Sequence, residues 1–338
     1  MRRGLRYVFL VALALNAACS TSMSSRICQS PDSPIAQSQD LQPLWLKSDL
    51  YVLGSQFDPM IDGVDSHVLV AMQEKNYGPS SVAAFDTQSG NLLWQHRTSL
   101  PLSMLVGDSK LYLGENNTIT QVDPESGKTL QTVTLPAVGP IYGMHFAENQ
   151  LFALTGSSRS LVYKVASGEA ELSKPYLPDV PFVIDGGKLY LNEADGYEAQ
   201  DAATHELIWK YDIHEDVQMR PLFTKERMVI ISKHGNIYAI DKHTGGLDWK
   251  ITPQAISNVA SDGSRLYFLT ADGSLEAVDE NDGHEVFKAR VSSTPFMVSS
   301  PLGLVGGFDV WVDSNNRIII ASLGDRCQLV ALRTVAKP

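Results

Sequence analysis

The residues best equipped for chemistry are few, and their spacing argues against most of the chemistry they could do. Asp279, Asn281 and Asp282 begin like a calcium loop, but Gly283 stands at the fifth place instead of the sixth and the twelfth place is not a Glu. The segment reads as a hairpin turn. The eight histidines are scattered with no pair at metal-ligand spacing, and His234 and His243 fall in turn-forming stretches. The sequence has no Gly-x-Ser-x-Gly elbow, no phosphate loop and no His-Glu-x-x-His. No catalytic, cofactor or metal residue can be nominated, so the elements around these turns carry the argument.

Those elements repeat. DTQSGNLLW (86–94), DPESGKTLQ (123–131), KVASGEAEL (164–172), DAATHELIW (201–209), DKHTGGLDW (241–249) and DENDGHEVF (279–287) are six copies of one pattern, and ALR (331–333) is a degenerate seventh. Successive copies start 37, 41, 37, 40 and 38 residues apart, the length of one four-stranded propeller blade. Each is preceded by two alternating apolar runs, such as RMVIIS and NIYAID, which read as strands. The Asp caps backbone N–H groups of a tight turn, and the Gly at the fifth place supplies a positive φ, with His205 replacing it once. The large ninth residue (Trp94, Trp209, Trp249, Phe287) belongs on the outermost strand, covering the seam to the next blade.

The expected fold is therefore all-β: a seven-bladed propeller of four-stranded antiparallel blades over residues 43–338. The intervals Trp45–Trp94 and Asp279–Arg333, at 49 and 54 residues, each exceed one period and fall short of two, which leaves no place for an eighth blade. The last copy lacks an outer strand, and residues 43–48 form a Trp-bearing strand with no blade of its own. Pairing the two closes the ring and removes exposed sheet edges.

Residues 1–18 read as a secretory signal: Arg2, Arg3 and Arg6 precede an apolar stretch too short to span a bilayer. Ala17-Ala18-Cys19 resembles a bacterial lipoprotein signal, which implies that Cys19 becomes the lipidated N-terminus; cleavage near Ala18 and a soluble periplasmic protein is the alternative. Ser20 after the cysteine implies the outer membrane. Residues 19–42 form a lipid-bearing polar tether. Loss of the signal leaves 24 basic against 38 acidic side chains, a net charge of −14 that disfavours nucleic acid as a partner. With Cys19 assigned to lipid, Cys28 and Cys327 remain as a pair in an oxidising compartment, and a disulfide between them would staple the ring closure.

The repeat, with its aromatic-Ala-x-Asp lead-in and Gly-x-x-x-Trp exit, resembles the quinoprotein-type (PQQ-like) β-propeller family across the whole mature chain. The enzymes of that family imply vicinal cysteines over the cofactor and a Trp beneath it. This chain has no adjacent cysteines, and only Trp311 lies off the outer-strand pattern, on a segment (308–316) that reads as the inner strand of blade seven. A lipid signal on a single bare propeller is similar instead to the family's non-catalytic lipoproteins of outer-membrane β-barrel assembly, although those have eight blades. The resemblance implies an envelope scaffold without a cofactor, a monomer within a complex of outer-membrane proteins. The competing readings are a periplasmic quinone-cofactor oxidoreductase and a ligand- or polysaccharide-binding module using the central channel. Extra chain length gathers at 73–81 and 291–303, in neighbouring blades on one face. That nominates Tyr77, Phe296 and Met297 as exposed partner anchors, unless Phe296 and Met297 start the inner strand and are buried.

Overall fold

The computed structural model describes residues 38–335, apart from 54–58, 65, 74–78, 100–102, 136–138, 148–149, 156–160, 167–168, 173–181, 194–195, 218–219 and 297–306. The apolar runs and Asp-led turns become successive antiparallel hairpins. Six sheets have four strands each, and one more, at the N-terminal side, has five. Numbered along the chain from that one, sheet one holds Tyr51–Val52, Ile61–Val64, His67–Gln73, Ser80–Asp86 and Leu92–Thr98. Sheets two to six follow from Ser103, Ile141, Phe182, Leu222 and Ala260. Sheet seven is Val310–Asp313, Ile318–Leu323, Gln328–Thr334 and, from the other end of the chain, Leu41–Lys47. This is a β-propeller of four-stranded antiparallel blades, with sheet one departing from the uniform blade that the repeat predicts. Its innermost position is shared: Ile61–Val64 pairs with the first half of His67–Gln73, and Tyr51–Val52 with its last two residues.

Burial follows position in the sheet. The two middle strands are covered on both faces, so Ser80–Asp86 is buried from Ser80 to Phe85 and Ile318–Leu323 throughout. The outer strand Leu92–Thr98 alternates between exposed and half-buried residues, because its outward face meets solvent. The core lies between sheets, not within any one of them. Ile318, Ile320, Leu329 and Ala331 of sheet seven join Val68, Val70 and Val82 of sheet one and Leu111 and Leu113 of sheet two in one apolar cluster.

The N-terminal strand closes sheet seven as the sequence predicts. Leu41–Lys47 runs antiparallel to Gln328–Thr334, with Trp45 opposite Ala331 and Leu46 opposite Val330. Beyond the strands, Val335 N–H donates to the Asp40 carbonyl at 2.9 Å. Trp311 is on the inner strand of sheet seven, its indole close against Gly63 of the inner strand of sheet one, where an added Cβ would collide with the ring.

Candidate functional site

The Asp-x-x-x-Gly turns are built as their chemistry requires. The Asp86 carboxylate accepts Ser89 N–H at 2.7 Å and Ser89 Oγ–H at 2.6 Å, while Gly90 N–H returns to the Asp86 carbonyl at 2.9 Å. Asp123, Asp201 and Asp241 each cap two N–H groups in the same way. These bonds hold the carboxyls of Asp86, Asp201 and Asp241 below the ordinary range, because they stabilise the charged form. Among the described residues, Asp279, Asp282 and His284 alone bring three metal-capable atoms together, within 4.8 Å of one another. Asp279 there caps Asn281 N–H and Asp282 pairs with His284 at 2.6 Å, the bonding of a surface hairpin.

The ninth-place tryptophans seal the seams between sheets. Trp45, Trp94, Trp209 and Trp249 donate their indole N–H to the carbonyls of Thr87, Pro124, Lys242 and Glu280, at 2.9, 2.9, 3.2 and 3.1 Å. Each acceptor is the residue after the capping Asp of the next sheet's turn. The indole lies on that turn's glycine: Gly90, Gly127, Gly245 and Gly283 have φ of 69–75°, and a Cβ on any of them would fall 2.6–2.8 Å from the ring. Glycine is thus required twice over, once for backbone conformation and once for space. Trp45 takes part because the closing strand brings it to sheet one's turn.

Around the propeller axis, side chains tie inner strands together. Asp62 Oδ2 of sheet one accepts Val106 N–H of sheet two at 2.9 Å. His145 Nε2 of sheet three lies 2.8 Å from the Ile184 carbonyl of sheet four, to which the Nε2–H tautomer donates. Asn258 makes a two-bond clamp on Val310 of sheet seven, at 2.7 and 2.9 Å. Arg220 skips a sheet and donates to the Met144 carbonyl at 2.8 Å. Burial, then the nearby Arg220 charge, press His145 down to about 4, so it is neutral at neutral pH. Asp62, Arg220, Asn258 and Trp311 line an axial cavity of about 250 Å³. These polar groups are spent on neighbouring backbone, which is positioning chemistry.

Asp309 is the other buried polar group of note. It is 3% exposed, and its Oδ2 accepts Met60 N–H at 2.9 Å across the seam between sheets seven and one. Burial pushes its carboxyl up to about 7. Sequence reasoning missed Asp62, His145, Arg220, Asn258 and Asp309. Their one available signal was a polar residue within or just before an otherwise apolar inner-strand stretch.

The nominated partner anchors fare differently. Phe296 is 5% exposed and stacks obliquely on Phe308 with ring centroids 5.1 Å apart, so it is a core residue and not a surface anchor. The cause is backbone pairing with the turn before it in the fold: Val291 and Ser292 N–H bond the Gly273 carbonyl and Phe296 N–H bonds the Ala271 carbonyl, which turns the ring inward between sheets six and seven. Tyr77 and Met297 lie outside the described residues, as do Cys19 and Cys28. Cys327 is buried, immediately ahead of the strand Gln328–Thr334, and its carbonyl accepts Leu50 N–H at 2.9 Å. Among the described residues no helix is long and apolar enough to cross a membrane.

The fold and its seams define a propeller of PQQ-like repeats. A family profile described as outer membrane protein assembly factor BamB matches residues 55–211, 115–296 and 198–323 in overlapping stretches, and the chain belongs to that family. It is similar to the outer membrane protein assembly factor BamB of Shewanella oneidensis, 22% identical over 240 residues that cover 60% of each chain. The Vibrio cholerae BamB is 25% identical over 159 residues, 42% of this chain and 41% of its own length. The matches thus span under two thirds of these curated relatives. Among solved structures, BamB from Moraxella catarrhalis superposes with a TM-score of 0.52 at 12% identity, covering 88% of this chain and 99% of that one, a likeness of fold.

Proposed function

We propose that this chain is a non-catalytic scaffold of the cell envelope that works in assembling outer-membrane β-barrel proteins by binding other envelope proteins. The family match running through residues 55–323 carries this reading. In it the sheets form a closed seven-bladed ring, Cys19 carries the lipid that holds the disc at the periplasmic face of the outer membrane, and the residues between Cys19 and the strand Leu41–Lys47 are the tether. A Cys28–Cys327 disulfide fastens the tether to the closing sheet; the buried place of Cys327 at the head of Gln328–Thr334 supports it. The partner face is the one opposite the Asp-led turns, with Tyr77 and Met297 as anchors.

Affinity capture from detergent-solubilised envelopes, read by mass spectrometry, tests the reading. Outer-membrane assembly proteins should co-purify, and Tyr77→Ala with Met297→Ala should reduce their yield at unchanged melting temperature. A preparation that reduces dye with a quinone cofactor, and captures no envelope protein, would overturn it.

A further inference from the structure

The repeat is broken at one seam, and the break leaves a cleft. Between sheets six and seven the ninth-place residue is Phe287, whose ring has no N–H to donate and packs on Tyr267. Among the described residues no Asp-led turn receives it, because here the first and last strands of the propeller meet: Asp40 and Val335 stand where a continuous hairpin and its glycine would be. A cavity of about 450 Å³ opens there. That lies within the range of roughly 300–1,000 Å³ typical of small-ligand sites.

Its walls have a definite chemistry. Arg265 and Arg317 both line it, and Val286, Phe287 and Val335 supply an apolar side. The carboxylates present are already committed. Asp262 Oδ1 accepts Ser264 N–H, Ser264 Oγ–H and Arg265 N–H at 2.9, 2.9 and 2.8 Å, and its Oδ2 accepts Tyr267 Oη–H at 2.6 Å. Asp40 has a partner of its own. The arginines hold the wall's forked donors, Arg265 also reaching the Tyr267 hydroxyl, with the hydroxyls of Ser314 and Thr334 beside them. Guanidinium groups lining a cleft beside an aromatic and branched aliphatic surface favour an anion with an apolar body.

We infer that the cleft between sheets six and seven, at the chain-end seam, binds an apolar carboxylate: a carboxylate group held by Arg265 and Arg317, with an aromatic or branched side chain against Phe287 and Val286. The site is independent of the scaffold reading and of the partner face. Such a group occurs both as a free acid and as the end of a polypeptide.

Calorimetric titration of the purified full chain with N-acetyl-phenylalanine tests it. Saturable one-to-one binding is expected, weakened about tenfold or more in N-acetyl-phenylalaninamide, which lacks the charge. Arg317→Ala, at an exposed position, should weaken binding of the acid by a similar factor at unchanged melting temperature, and Arg265→Lys should weaken it less. A Gly/Ser peptide ending in phenylalanine separates the sources: tighter binding than the free acid assigns a chain terminus, weaker binding a free acid. Equal affinity for acid and amide, an Arg317→Ala chain that binds like the parent, or no saturation up to about 10 mM would each overturn the site. Partner capture from envelopes that survives Arg317→Ala leaves the scaffold reading standing whatever the titration gives.

Discussion

Four seams of this propeller are closed by an indole, and three are not. Where Trp45, Trp94, Trp209 or Trp249 faces the next turn, that turn has glycine at its fifth place with the ring pressed on it. The seams leading out of sheets two and three have Gln131 and Leu172 at the ninth place, and the one out of sheet six has Phe287. The one repeat copy that carries a residue other than glycine at the fifth place, His205 at φ 59°, follows Leu172. The turn glycine is therefore enforced by the neighbour's side chain as much as by its own backbone. Non-glycine residues of small polar type tolerate φ near +60° at modest cost, but none of them tolerates a ring at 2.7 Å.

Trp249→Ala should cost about 3–5 kcal/mol in denaturant unfolding, since it empties a buried site and removes the N–H that Glu280 accepts. Gln131→Ala should cost less than about 1 kcal/mol. Equal losses at the two positions would end the distinction between sealed and unsealed seams. Gly245→Ala should cost about 2 kcal/mol or more, part backbone and part clash with Trp209. In a Trp209→Ala background the clash share should vanish, so the double mutant will be more stable than the sum of singles; strict additivity would show that ring and glycine do not interact.

The inner end of a seam adds a pH term. The Asp309 carboxyl is raised from 3.8 to about 7 in the folded chain. The folded state therefore keeps a proton that the unfolded chain releases above about pH 4, and stability falls as pH rises towards 7, by an amount on the order of a few kcal/mol. Asp309→Asn keeps an acceptor for Met60 N–H and has no proton to lose. Relative to the parent it should gain stability between about pH 4 and 7 and level off above that, as read by melting temperature; a parent-minus-variant difference flat from about pH 4 to 7 would remove Asp309 as the source. At the weak end of the series, His205→Gly should change stability by under about 1 kcal/mol, in the stabilising direction, because αL is open to glycine at no steric cost and no indole stands over it. A loss instead would mean that the imidazole contributes to its seam.

The repeat made the strands, capped turns, outer-strand tryptophans and N-terminal closure legible, because each rests on a local pattern of known period. Sheet one's fifth strand was not, since YV and IDGV are too short to show alternation and are separated by LGSQFDPM in the sequence. Phe296 was misplaced for a related reason: its direction is fixed by backbone bonds to Ala271 and Gly273, partners distant in sequence, and the apolar loop alone gives no sign of them. The axial groups were hidden in the same way. Asp62 and Asn258 each act on the next sheet's backbone, a contact that periodicity within one blade does not encode.

The closing strand has a consequence for the order of events in making this protein. Leu41–Lys47 is the first strand of the propeller along the chain, and its partner Gln328–Thr334 is the last. Every intervening sheet can pair within itself as it emerges, but the first strand has to wait, with Trp45 and Leu46 uncovered, until Gln328–Thr334 is available. Local hairpins thus form early and the ring forms late, which makes closure the slow, non-local step. For as long as it lasts, that interval leaves two complementary strand edges exposed to other copies of the chain. Premature pairing between molecules there yields a swapped oligomer in place of a closed disc.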